Sequence, residues 1–243
     1  MPPRREYGIV YNGVVLPDTD RVVRFPDAGW YDPKDDDVTP RPKLKKSPEA
    51  ILEILTFHWT AGHLKFGPEG ALDVYRAMQA RRKENGEEMS VSVSFVITTS
   101  GDIVQLADLN LSCFHAHREF NSRGVGVEWT SPGTQKQATK LGILEGSGLK
   151  EVTFEKRKYL NGSSVQAVVP PQVVLDAAVW LANTLARVAG LPKVTNTLRT
   201  QFAPRQMGSV RGVVEHFQAA NTEKVDCAGF FVDALAKAGW DQA

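Results

Sequence analysis

Ile51-Leu52-Glu53-Ile54-Leu55-Thr56-Phe57-His58-Trp59-Thr60-Ala61-Gly62 is the stretch on which the reading of this chain turns. Ile51 to Phe57 is a compact apolar run with Pro48 ahead of it and a Thr-Ala-Gly turn behind it. That pattern suits a buried strand, and a histidine placed where the strand opens into a loop sits where scaffolds commonly present functional side chains. A single histidine in such a place also reads as a structural residue hydrogen-bonded under a loop, so His58 needs partners before it means anything.

Working outward, residues 1–48 are rich in proline, aspartate and arginine and end in the charged run Pro40 to Lys46; they read as an irregular N-terminal extension, with Gly8-Ile9-Val10 and Val14-Val15-Leu16 as edge-strand candidates. Pro68 to Lys83 carries Leu72, Tyr75 and Met78 at helical spacing. Val91 to Ile97 alternates, then a Ser-Gly-Asp turn leads into Ile103 to Leu106, which is a two-strand pattern. Gly124-Val125-Gly126-Val127-Glu128-Trp129 is a further β-branched run. An excursion around 134–168 contains Asn161-Gly162 between Thr153–Leu160 and Ser163–Val169, the signature of a hairpin. Pro170-Pro171 opens the clearest helix, with Val174, Ala178, Leu181, Leu185 and Val188 on one stripe and Gly190 and Pro192 at its end. A short strand at Val213-Val214 and a terminal helix from Gly229 to Ala238 complete the pattern. Strands mixed with helices, without regular βαβ alternation, favour an α/β or α+β layer fold.

Composition narrows the function classes. The 243 residues carry 29 Lys+Arg against 28 Asp+Glu, a net charge of +1, which argues against a protein built to coat nucleic acid. No membrane partner is expected either, since the longest apolar-rich runs, Ile51 to Phe57 and Val173 to Leu191, fall short of the roughly 20 apolar residues a spanning helix needs. Met1-Pro2-Pro3-Arg4-Arg5-Glu6 is followed by no apolar stretch of secretory length, so the expectation is a cytoplasmically made chain without a signal peptide, monomeric, acting on its substrate after lysis or export or within the cytosol. Two cysteines, Cys113 and Cys227, exclude a disulfide framework and a four-cysteine zinc site. Five histidines leave a short list for any metal.

Two of those histidines end apolar strands: His58, and His216 after Val213-Val214-Glu215, with Lys224, Asp226 and Cys227 close behind. Catalytic zinc takes three protein ligands and keeps one position open, and His58, His216 and Asp226 would make such a set. Spacing alone does not gather them.

A resemblance does. Leu55-Thr56-Phe57-His58-Trp59-Thr60-Ala61-Gly62 resembles the first metal-binding motif of the type 2 N-acetylmuramoyl-L-alanine amidases, the superfamily shared with peptidoglycan recognition proteins and phage amidase-lysozymes. Val91 to Leu106 resembles its alternating strand and turn. His115-Ala116-His117-Arg118-Glu119-Phe120-Asn121-Ser122-Arg123-Gly124-Val125-Gly126-Val127-Glu128 is similar to its His-Ala-Gly, Asn, Gly-Ile-Gly-Ile-Glu element. His216 with Lys224-Val225-Asp226-Cys227-Ala228-Gly229 is similar to its histidine followed by Lys-x-Asp-Pro-Gly. The landmarks come in the family's order.

The resemblance implies a single-domain α/β zinc amidase fold over 49–243, a mixed central β-sheet flanked by α-helices, with the hairpin around 134–168 inserted and the site at strand ends. It implies Zn2+ as cofactor, His58, His216 and Asp226 as ligands, and peptidoglycan or muropeptide as substrate. Glu128 would be the base that works on water whose pKa zinc lowers towards about 7, and Lys224 the cation that steadies the oxyanion. His115 and Asn121 would lie along the substrate groove. Trp59, flanking the proposed site, reads equally as a surface that stacks on sugar or peptide and as core packing.

The chain departs from the family at two places. Cys227 stands where the motif has proline, which makes its thiolate a rival to Asp226 as third ligand, and Val93 stands where other branches have a tyrosine. Asp226-Cys227-Ala228-Gly229-Phe230-Phe231 also resembles the Asp-Cys-Ser-Gly-Phe motif of cysteine peptidases that cut peptidoglycan stems, but those place their histidine downstream of the cysteine, and Ala228 to Ala243 contains none. A binding module without catalysis is the third reading; the complete candidate ligand set weighs against it.

Overall fold

The computed structural model describes residues 3–29, 52–80, 92–111, 113, 115–116, 118–143, 152–159, 162–197, 201–219 and 226–243. Near the N-terminus the chain forms four short strands: β1 (Glu6–Tyr7), β2 (Val10–Tyr11), β3 (Val14–Val15) and β4 (Val22–Arg24). Asn12 and Gly13 take positive φ, 50° and 77°, the conformation a tight two-residue hairpin requires between β2 and β3. The apolar run ahead of His58 becomes β5 (Ile54–Trp59), followed by α1 (Gly67–Gln79) with proline in its first turn. Next come β6 (Phe95–Ile97), β7 (Ile103–Gln105), α2 (Arg118–Arg123), β8 (Gly124–Trp129) and α3 (Gln135–Lys140). The hairpin of β9 (Phe154–Lys158) and β10 (Ser164–Val168) leads to α4 (Gln172–Ala189). The remaining elements are β11 (Val194–Thr195), α5 (Pro204–Met207), β12 (Gly212–Glu215), α6 (His216–Ala219), α7 (Phe230–Lys237) and β13 (Asp241–Gln242).

Nine strands make one mixed sheet in the order β1-β4-β7-β6-β8-β5-β12-β11-β13. From β6 to β13 every neighbouring pair is parallel, while β7 runs against β6 and β1 against β4. This is an α/β fold with a mixed central sheet, as the sequence implies.

The N-terminal region corrects the sequence reading. Part of what reads as an irregular extension supplies two strands of the main sheet: β4 pairs parallel with β7, and β1 pairs with β4. Two or three residues, among them Glu6 and Arg24, carry too little pattern to announce a strand, and their pairing comes from the neighbouring strand rather than from local propensity. The charged run Pro40 to Lys46 lies outside the described residues, as do residues 81–83 of the expected first helix, Val91 and Asn161.

Successive strand residues point to opposite faces, and the central strands divide their work accordingly. Leu55, Phe57 and Trp59 of β5 and Val125, Val127 and Trp129 of β8 join one core cluster with Phe95, Leu181, Leu185, Phe231 and Leu235, under α4 and α7. Phe57 stacks on Phe231 with ring centroids 4.5 Å apart. On the other face Val96, Val104 and Leu106 meet α1 through Leu72, Val74 and Met78, while Ile54 and Val214 meet Phe120, Met207 and Val210. Between those two smaller clusters, at the carboxyl ends of β5, β8 and β12, the same face carries polar side chains. In open α/β sheets that is where ligands bind.

Candidate metal centre

Strand register assembles the site. Cα pairing sets His58 of β5 opposite Glu128 of β8, and Glu128 opposite Val96 of β6. On the other side Glu215 of β12 pairs with Phe57, so the next residue, His216, falls beside His58. His58 is therefore the last but one residue of its strand rather than the first of a loop, and alternation turns it away from the core that holds Phe57 and Trp59.

The rings of His58 and His216 approach edge to face at 4.4 Å between centroids. Asp226 arrives from the segment before α7, with Oδ2 at 3.0 Å from His216 Nδ1 and 4.0 Å from His58 Nδ1. One ligand atom from each of the three residues lies within 4.8 Å of the others. Zinc held by nitrogen and oxygen at about 2.0–2.2 Å in a tetrahedron spaces its ligand atoms by about 3.3–3.6 Å. The observed separations bracket that value, and two imidazoles with one carboxylate suit zinc chemically. His58 is buried whereas His216 and Asp226 are partly exposed, so the centre has a floor inside the protein and an opening to solvent.

Cys227 is not part of this set. It is fully buried in the main core cluster beside Ala228 and Phe231. Burial pushes its thiol well above the ordinary value, and the carboxylates of Glu215, Asp226 and Glu128 push it further in the same direction. A thiolate is the form needed for ligation or attack, and this environment works against it.

Glu128 is buried beside the centre, as its register with His58 requires. Lys224 lies outside the described residues, as does His117. Val93 is buried beneath α1.

The three residues expected along the substrate groove, Trp59, His115 and Asn121, are buried. Trp59 follows His58 directly and so faces the opposite side of the sheet; it is 6% exposed, and its ring packs so closely on Gly133 that a Cβ there would lie 2.3 Å from it. Asn121 builds the loop ahead of β8: its Oδ1 accepts from the backbone N–H of His115 at 3.2 Å and of Ala116 at 2.8 Å, and its Nδ2 donates to the Ala116 carbonyl at 3.1 Å. His115 itself is 8% exposed and reaches the candidate ligand His58, ring nitrogen to ring nitrogen, at 3.0 Å. Sequence gives no signal for that contact, because it joins a strand residue to a loop residue 57 positions away.

Glu215 is a further residue that the sequence leaves unremarked. It is fully buried on the core face of β12, where it accepts backbone N–H bonds from Gly229, from Phe231 at 2.8 Å and from Val232 at 3.4 Å. Those donors are orphan groups at the start of α7, so a single carboxylate ties the strand bearing His216 to the helix entry that follows Asp226. Burial pushes its carboxyl up to about 7 despite the N–H donors that favour the anion. The available signal was an acidic residue interrupting an apolar strand.

No curated protein sequence matches the chain. Among solved structures, N-acetylmuramoyl-L-alanine amidase LysC from Clostridium intestinale is similar at 11% identity with a TM-score of 0.41, over 80% of this chain and 90% of that one. The E. coli N-acetylmuramyl-L-alanine amidase AmiD, in complex with anhydro-N-acetylmuramic acid-L-Ala-D-gamma-Glu-L-Lys, is similar at 17% identity with a TM-score of 0.46, over 83% of this chain and 62% of that one. The model of the N-acetylmuramoyl-L-alanine amidase family, Amidase_2, matches residues 48–229, a span that includes β5, β8, β12, both candidate histidine ligands and Asp226. The chain belongs to the N-acetylmuramoyl-L-alanine amidase family.

Proposed function

We propose that the protein is a zinc-dependent hydrolase that cleaves the amide between N-acetylmuramic acid and L-alanine in peptidoglycan or muropeptides. Family membership supports amidase chemistry on peptidoglycan. The observation that carries the metal dependence is the convergence of His58, His216 and Asp226 within 4.8 Å at the carboxyl ends of two adjacent parallel strands.

His58 and His216 would hold the ion through neutral imidazoles and Asp226 through its carboxylate. A zinc ion bound there supplies a Lewis acid that polarises the scissile carbonyl and makes a nucleophile available at neutral pH. Glu128, one strand away from His58, takes the proton of the attacking water and returns it to the alanine amine as that group leaves. Lys224 is proposed to face the oxyanion, where a cation offsets charge that develops only in the transition state. The low exposure of His58 and Glu128 keeps bulk water from diluting these charges.

The test pairs metal analysis with turnover of a muramoyl dipeptide. Wild-type protein is expected to hold one zinc per chain, to release the peptide, to lose activity to a chelator and to regain it with zinc. Asp226→Ala should lose the metal, while Cys227→Ser should keep both metal and cleavage. Binding of muropeptide without hydrolysis, or hydrolysis lost in Cys227→Ser with zinc retained, would overturn the proposal.

A further inference from the structure

The His-Ala…Asn…Gly-x-Gly segment, expected from sequence along the substrate groove, lies against His58. Three independent features converge on one contact. First, His58 Nε2 and His115 Nδ1 lie 3.0 Å apart, with the two rings nearly perpendicular, 81° between planes. Second, Asn121 fixes the backbone that carries His115 by bonding three main-chain groups of residues 115 and 116. Third, Gly126, on the face of β8 that also bears Glu128, leaves the space that the His115 ring fills: a Cβ there would lie 2.5 Å from His115 Cγ. Close approach, rather than backbone conformation, is what this glycine supplies.

The direction of the proton follows from the ligand set. His58 faces Asp226 through Nδ1, the atom 4.0 Å from Oδ2, so Nδ1 must be the unprotonated nitrogen when it donates its lone pair to a metal. Nε2 then carries the hydrogen and donates it to His115 Nδ1. A neutral imidazole that rotated or changed tautomer would present N–H to the ion instead of a lone pair. Ligand histidines of metal sites characteristically donate their second N–H to a partner that fixes both.

We propose that His115 is a positioning residue: as hydrogen-bond acceptor it locks the tautomer and ring orientation of the metal ligand His58, and Asn121 and Gly126 are there to hold it in place. The inference rests on the zinc reading above. It assigns to a histidine-to-histidine bond the function that carboxylates or backbone carbonyls serve in other metal sites.

The test is zinc affinity measured by competition with a chromogenic chelator, alongside thermal melting of each metal-free protein. His115→Phe keeps ring volume and removes the acceptor; His115→Asn keeps an acceptor oxygen near the Nδ1 position. His115→Phe is expected to weaken zinc by about 10–100-fold, the range typical of lost outer hydrogen bonds at metal ligands, with His115→Asn restoring most of the affinity. Gly126→Ala, which leaves His115 in the sequence but crowds its ring, should weaken zinc in the same direction. In cobalt-loaded protein the visible bands should shift in His115→Phe and return towards wild type in His115→Asn. Equal affinity in wild type and His115→Phe would overturn the proposal, as would His115→Asn binding as weakly as His115→Phe with its melting temperature unchanged. Failure of the wild-type chain to bind zinc at all would instead overturn the function reading.

Discussion

The two faces of β5 and β8 are made from the same twelve residues and do opposite things. Towards α4 and α7 they present Leu55, Phe57, Trp59, Val125, Val127 and Trp129, all in one apolar cluster. Towards the other side, at the same carboxyl ends, they present His58 and Glu128 in register. Both faces are buried, so the chain gives a continuous buried run rather than an alternation of apolar and polar residues. The lesson is that rigidity and chemistry are separated by a single residue step. The packed face fixes the backbone of β5 and β8, and that backbone fixes the positions of His58 and Glu128.

Substitutions on adjacent residues can break this division. The largest effect is expected for His58→Ala: zinc binding and turnover should both disappear while the melting temperature of the metal-free protein stays near that of wild type. Glu128→Gln should keep one zinc per chain and lose about 10²–10⁴-fold in turnover, the usual worth of a positioned acid–base group. Phe57→Ala, one residue from His58 but facing the other way, should cost about 3–5 kcal/mol of stability through lost burial and the cavity it leaves. In chemical denaturation its midpoint should fall, while the folded fraction still titrates with zinc as wild type does. If Phe57→Ala damages metal affinity more than stability, the two faces are not independent. The smallest effect belongs to the surface: Asp73→Asn, which removes an exposed ion pair with Lys65 at 2.8 Å, should change stability by no more than about 0.5 kcal/mol and leave turnover unaltered.

How much of this could be read in the sequence differs by element, for physical reasons. The run from Gly124 to Trp129 is legible to the residue, because a β-branched stretch bounded by turn residues has few other uses. The helix α4 is equally legible from its stripe and from Gly190, which takes the left-handed conformation at φ 71° that closes it. The short strands β1, β4, β11 and β13 are not, since two or three residues held by a neighbour leave no periodicity. The short helix α2 was hidden inside a motif, its residues being polar apart from Phe120. At the site, the candidate ligands were legible in the ordered motifs and not in spacing, because parallel pairing of β5 with β12 sets His216 beside His58 and Asp226 joins them from the segment before α7. The burial of His115 and Asn121 was not legible, whereas core packing was one of two readings open for Trp59. A motif reports that a residue type is wanted at a position, and burial decides whether it faces ligand or scaffold.

The most direct test of the central claim is mass spectrometry of the products formed from a defined muropeptide, with and without chelator. The account predicts a free N-acetylmuramic acid sugar and a stem peptide with a new L-alanine amino terminus, formed only in untreated or zinc-restored protein. Cleavage between residues of the stem peptide, or unchanged product yield after the metal is stripped, would contradict it.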